Sequence, residues 1–221
     1  MISIIKILDK SRNLLAILEN AYDAEVERKA NELCFCAFSL PGDDPKNEYC
    51  QHFNYVEVTG DSGRYYGLYL IMPKETKKDN GGDTIRYECE HVLATLLDDV
   101  MLDYHQYTNY TTTEVLQFIL DEQTTENWVL GDVEFTRYFH YSFENENGLL
   151  APILSIPQPF DEPYLFTFDT TSYPWTINLV QPSNDPQWEI RWGKDMIDFE
   201  EVADPKEIVN RIIPKGYGEG V

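Results

Sequence analysis

Basic residues are scarce in this chain: 17 Lys and Arg stand against 39 Asp and Glu, a formal net charge of −22. Binding to phosphate backbones needs clusters of Lys and Arg, so this balance argues strongly against a nucleic-acid-binding face, and against an anionic membrane surface for the same reason. Long apolar runs are also missing. The longest, such as Leu14–Leu18, fall far short of the ~20 residues of a membrane span, so no membrane insertion is expected in this segment. Met1–Leu8 is apolar but broken by Lys6 and followed by Asp9 and Lys10 without a cleavage site, so no secretory signal is expected. Four cysteines are too few to staple 221 residues, which predicts reduced thiols in a protein made in a cytosol.

Aromatic residues, by contrast, are plentiful, with 15 Tyr and 11 Phe, which favours β structure and large packed surfaces. The first hundred residues read mainly as strands: Ile2–Leu8 and Leu14–Leu18 as a hairpin around Asp9–Asn13, then Cys34–Leu40, stopped by Pro41-Gly42. Asp44-Pro45 starts a short helix or turn reaching about Cys50. Tyr55–Thr59 and Tyr65–Met72 flank the turn Gly60–Gly63, and Lys74–Asp83 reads as the polar loop at the tip of a long hairpin. Six or so short strands with regular turns predict a barrel or curled sheet.

The run Ile85–Met101 changes period in its middle. Ile85, Tyr87, Cys89 and His91 alternate with Arg86, Glu88 and Glu90, as in a half-buried strand; Val92, Leu93, Leu96, Leu97 and Val100 then fall at helical spacing. This predicts a strand passing directly into a short amphipathic helix, with Cys89 and His91 inward, Glu90 outward and Asp98-Asp99 at the helix's polar end.

Further on, Thr111 and Glu114 have the spacing of a capping box, followed by a helical stripe of Val115, Leu116, Ile119 and Leu120. Phe135–Phe143 reads as an aromatic strand, Leu149–Ile156 as a short helix bounded by Pro157, Leu165–Thr170 and Trp175–Val180 as paired strands, and Trp188–Trp192 as another. Asp204-Pro205-Lys206-Glu207 again has the pattern of a helix start. The chain stops in Gly216-Tyr217-Gly218-Glu219-Gly220-Val221, read as a truncation. The expected fold class is therefore α+β and strand-dominated: a barrel-like domain over 1–107, a mixed α/β domain over 108–203, and the start of a further element over 204–221.

The candidate chemistry is thin. Cys50/His52, Cys89/His91 and Cys34/Cys36 are i, i+2 pairs, whose side chains on a strand stand ~6–7 Å apart on one face, a spacing for packing rather than chelation. Asp43/Asp44, Asp98/Asp99 and Glu144/Glu146 are carboxylate pairs in a chain where any pair can be found, and a glycosidase needs two such groups from separate elements facing one cleft. No calcium loop and no nucleophile elbow occur, His91 and His140 read as packed histidines, and Gly216-x-Gly218-x-Gly220 lacks a nucleotide-binding context. No catalytic, cofactor-binding or metal-binding residue is assigned, and no cofactor is expected. Trp175, Trp188 and Trp192 would suit a carbohydrate-binding platform if exposed.

Several segments, in order and across nearly the whole chain, carry a resemblance: Asn20–Leu33 (NAYDAEVERKANEL), Phe38–Val58 (FSLPGDDPKNEYCQHFNYVEV), Tyr87–Asp99 (YECEHVLATLLDD), Phe143–Phe160 (FENENGLLAPILSIPQPF), Phe168–Val180 (FDTTSYPWTINLV) and the closing PKGYGEG. The chain resembles the phage minor structural proteins of Gram-positive bacteria, the tail-hub or tail-associated lysin N-terminal regions of siphophages and prophages, which are similar to the baseplate hub of contractile-tailed phages. The resemblance implies a virion tail-tip protein, synthesised in the bacterial host cytoplasm, that forms a trimer closing the tail tube. Its partners would be the distal tail protein ring and the tape-measure protein, with a channel for DNA. It implies no enzyme in this chain; hydrolase or endopeptidase activity would lie in a C-terminal region. The alternatives are an acidic cell-wall (peptidoglycan) hydrolase and a carbohydrate-binding module. An acidic channel wall repels phosphate, so part of the −22 charge is expected to face the lumen.

Overall fold

Alternating burial along successive strands builds the first half of the structure. The computed structural model describes residues 2–60, 62–79 and 82–183, and its elements all lie in one compact unit, Met1–Pro182. The Trp188–Trp192 strand, the helix start at Asp204 and the Gly-rich end fall outside the described residues.

The first strands are β1 (Ile2–Leu8), β2 (Leu14–Ile17), β3 (Tyr22–Glu27), β4 (Phe35–Pro41), β5 (Tyr55–Gly60), β6 (Tyr65–Asp79) and β7 (Gly82–His91). They form one seven-stranded sheet in the order β2-β1-β5-β6-β7-β4-β3. Every neighbouring pair in it is antiparallel. Its two edge strands, β2 and β3, are consecutive in the chain and separated only by Leu18–Ala21. At ~3.3–3.6 Å per residue this link holds the two edges close together. The sheet therefore curls into the expected barrel-like form, joined by the chain rather than by a hydrogen-bonded ladder. Alternate side chains from every strand but β3 fill the interior: Ile5, Ile7, Ala16, Cys36, Phe38, Leu40, Val56, Val58, Tyr69, Ile71, Tyr87 and Cys89 are all buried.

Two segments of this half differ from expectation. Strand β3 is an additional strand. At an edge, it buries Ala24 and Val26 only partly and exposes the rest, so no strong apolar alternation marks it. Lys74–Asp79 is strand, not loop. Its backbone continues the ladder to β7, from Lys74 opposite Tyr87 to Asp79 opposite Gly82. Ladder bonds do not require an apolar face, so the polar composition is a poor guide there.

The period change at Val92 is real, and it marks where one core gives way to the next. Val92–Leu97 is a 3-10 helix rather than an α-helix, with Val92, Leu93, Ala94 and Leu96 buried. Thr95 Oγ1 donates to the Val92 carbonyl at 2.8 Å, a local bond that competes with α-helical pairing. These residues join a second core with the following elements: β8 (Met101–Tyr107), α1 (Thr112–Leu120), β9 (Trp128–Val133), β10 (Tyr141–Glu146), α2 (Leu150–Ser155), β11 (Leu165–Asp169) and β12 (Trp175–Val180). β8 pairs with β10, and β11-β12-β9 form a three-stranded sheet whose β12–β9 pair is parallel. The architecture is the expected strand-dominated α+β.

Helix α1 starts where its capping box predicts. Thr111 accepts from the Glu114 N–H, and the Glu114 carboxylate accepts from the Thr111 N–H at 2.8 Å. Replacing Thr111 with Ala should lower stability by about 1 kcal/mol. An unchanged urea midpoint would show the cap to be idle.

The expected aromatic strand Phe135–Phe143 begins only at Tyr141. Residues before it bond to the start of α1 instead: Thr112 N–H donates to the Arg137 carbonyl at 3.0 Å, while Phe135 and Phe139 pack on Phe160. His140 accordingly lies outside any strand and is exposed, with Nδ1 2.7 Å from Thr108 Oγ1.

Candidate assembly surface and the His91 cleft

The residues singled out in the sequence do not converge. Among the described residues, no group of three or more His, Cys, Asp or Glu is arranged to hold a metal. Cys36 and Cys89 face each other across β4 and β7, buried. A side-chain hydrogen bond with Cys36, together with burial, pushes the Cys89 thiol well up. Cys50 is buried in the barrel, whereas His52 is exposed with Nδ1 2.5 Å from the Met72 carbonyl. Asp44 caps the 3-10 turn Pro45–Glu48 and accepts from Asn20 at 2.8 Å. Asp98 ends the 3-10 helix after His91, exposed, and Asp99 accepts from the Thr124 N–H at 3.0 Å. Trp175 is 1% exposed, which removes it from any carbohydrate platform; Trp188 and Trp192 lie outside the described residues.

Two surfaces expose aliphatic and aromatic side chains together. On the β1–β2 hairpin, Ile4, Leu14, Leu15 and Ile17 are exposed. At the turn into β8 and along it, Leu97, Val100, Leu102 and Tyr104 are exposed, Leu102 by 64%. Grouped apolar exposure of this kind marks interaction surface. A groove of about 560 Å³ outside β3, β4 and β7 is acid-lined by Glu25, Glu27, Glu88 and Glu90. Its Arg86 is already paired with Glu25.

A smaller cleft, about 270 Å³, lies between β6 and β11 and has His91 at its floor. His91 is the last residue of β7 and the cap of the 3-10 helix: its Nδ1 accepts from the Leu93 N–H at 3.2 Å. That bond fixes the neutral tautomer with the proton on Nε2. Only 6% of the residue is exposed, and Tyr69, Trp128 and Phe168 surround the ring. Burial, with the nearby Arg28 charge, pulls its pKa down to about 4. Gly67 on β6, at φ +139°, keeps the cleft open; a Cβ there would lie 3.3 Å from His91 Cδ2 and 3.4 Å from Nε2. Tyr65 spans one end of the cleft, its hydroxyl 2.7 Å from Thr170 Oγ1, and burial pushes that phenol up to about 12. His91 points inward, as the strand alternation predicts. The cleft itself has no sequence signature, because Arg28, Tyr65, Gly67 and Phe168 come from separate segments.

Residues 99–172 match the prophage endopeptidase tail domain family. No curated protein matches the chain. Among solved structures, the fold is similar to the tail protein from Neisseria meningitidis MC58. The TM-score is 0.55 at 11% identity, over 80% of this chain and 49% of that one. It is also similar to the E. coli c3393 protein, a type VI secretion component with structural similarity to T4 tail proteins gp27 and gp5. Here the TM-score is 0.49 at 12% identity, over 72% and 46% of the two chains. A third is the 43 kDa tail protein of prophage MuSo2 from Shewanella oneidensis, with a TM-score of 0.46 at 13% identity over 80% and 52%. The chain spans about half the length of each of these. The resemblance to phage tail proteins drawn from the sequence is thus matched by a tail domain within the chain and by a tail-protein fold.

Proposed function

We propose that this chain is a structural part of a phage or prophage tail tip. It would serve as a hub that closes the tail tube and connects the distal tail ring to the host-facing tip. The observation that carries the reading is the tail-domain match over residues 99–172, set in a fold similar to that of the Neisseria meningitidis tail protein. In this reading the full-length protein is a trimer that contacts the distal tail protein ring and the tape-measure protein. It is made in the host cytoplasm and resides at the virion tail tip. The apolar surfaces on β2 and β8 support the reading, because assembly would bury them. The division at about residues 107 and 203 belongs to the same proposal. Any peptidoglycan hydrolase or endopeptidase activity lies in a C-terminal region beyond this chain. The endopeptidase in the matched family's description favours one second reading, an acidic cell-wall hydrolase.

Molar mass by light scattering separates these readings. The hub reading expects this chain to be monomeric alone and trimeric when carried in a longer form. A monomer in both forms that clears peptidoglycan suspensions would replace it with the hydrolase.

A further inference from the structure

β11 is an edge strand of its sheet, and its free side faces the His91 cleft. The N–H of Phe166 donates to Asn31 Oδ1 at 2.8 Å, so it points away from β12. In an antiparallel pair the direction repeats every second residue, so the N–H and C=O of Phe168 point the same way. The neighbouring outward groups already have partners: the Tyr164 carbonyl accepts from Asn31 Nδ2 at 3.4 Å, and the Thr170 carbonyl from the Tyr65 hydroxyl at 3.3 Å. Between these two clamps, the carbonyl of Phe166 and both polar groups of Phe168 take no partner among the described residues. The cleft thus presents one stretch of open strand edge between side chains that close the edge on either side.

The remaining polar groups of the cleft are donors. The Nε2–H of His91 has no partner among the described residues and sits beside the Gly67 opening. Arg28 lines the same cleft, and among the described residues no carboxylate pairs with it, whereas Lys29 is held by Glu27 and Glu32 and Arg86 by Glu25. In a chain with 39 acidic residues and 17 basic ones, an unpaired guanidinium beside the cleft-facing N–H of a largely buried imidazole is a distinctive arrangement. Phe166, Phe168 and Tyr69 supply apolar walls.

We propose that this cleft binds an extended peptide segment bearing a carboxylate. Its backbone pairs with the open edge at Phe166 and Phe168, and the carboxylate is held by Arg28 and the Nε2–H of His91. Strand addition to an open edge supplies the backbone bonds, and the charge-assisted pair to Arg28 selects the anion. The limited volume admits a short stretch of chain rather than a folded partner.

The test titrates the full chain with the capped tripeptide acetyl-Val-Glu-Val-amide and follows amide and imidazole resonances by NMR. The expected result is saturable shifts at the Phe168 amide and His91 Nε2. Binding should weaken by about tenfold or more with the Gln analogue of the peptide and with the Arg28→Ala variant. Arg28 is exposed and makes no described hydrogen bond, so that variant keeps the fold. Equal binding of Glu and Gln peptides, no effect of Arg28→Ala, or no shift at millimolar peptide would each overturn the proposal. Inorganic phosphate giving the same His91 shifts with the same affinity would reduce the cleft to a simple anion site and would also overturn it. None of these outcomes depends on the tail-hub reading.

Discussion

Trp128→Ala should remove about 3–5 kcal/mol of stability, a large share of the ~5–15 kcal/mol of an ordinary domain. Trp128 is 1% exposed and sits where three parts of the second core meet. Its ring centroid lies 5.3 Å from that of Trp175, 6.1 Å from Phe168 and 6.4 Å from His91. Its Nε1–H donates to Thr95 Oγ1 at 3.1 Å, so the residue also ties β9 to the 3-10 helix that follows β7. Gln123 holds its backbone from both sides, accepting from the N–H at 3.0 Å and donating to the carbonyl at 2.8 Å. Removing the indole leaves a void that this clamped segment cannot close by shifting. Trp128→Phe keeps much of the ring contact but loses the bond to Thr95, and should cost distinctly less. Urea unfolding followed by circular dichroism measures both variants. A loss below about 1 kcal/mol for the alanine variant would mean that the core collapses around the gap.

Acid should weaken the fold well before its carboxylates titrate. In the unfolded chain His91 takes a proton near its ordinary 6.5, whereas in the fold burial holds it down to about 4. Between these values the unfolded state binds more protons than the native one, so stability rises with pH across the window and is lost as pH falls from about 6.5 to about 4. The full loss is on the order of 3 kcal/mol for this one buried residue. Asp9, Glu114 and Asp169, whose hydrogen bonds hold their carboxyls below the usual value, add their own loss at lower pH. His91→Asn isolates the effect, since Asn still offers an oxygen to cap the Leu93 N–H but does not titrate. Urea midpoints measured from pH 7 to pH 4 should fall steeply for the native chain and much less for the variant. Parallel curves would refute the assignment.

Elements with a local signature are legible in the amino-acid order alone. The Thr111–Glu114 box, the Asp44-Pro45 turn and the β11–β12 pair follow from chemistry within a few residues of each element, and the structure has all three. The period change at Val92 is equally visible, although its helix is 3-10. Strands β8 and β9 carry no such signature. β8 buries Met101 and Tyr107 but exposes Leu102 and Tyr104, so both of its faces carry apolar residues. β9 contains Gly131, where a Cβ would lie 2.2 Å from Asn178 Oδ1; that glycine reflects close approach of a neighbouring strand and interrupts any strand pattern in the sequence.

By itself, the sequence determined the fold class, a strand-dominated α+β protein. The −22 charge argues against nucleic-acid binding, the aromatic richness favours strands, and the long idiosyncratic segments resemble phage tail proteins; a prophage tail domain matches residues 99–172. Only the tertiary structure decided which side chains meet. The curl of the sheet brings β2 and β3 together, and packing places Arg28, Gly67, His91 and Phe168 around one cleft. Composition and periodicity act over neighbouring residues, whereas a cleft built from four distant segments depends on how the curled sheet and the second core pack against each other.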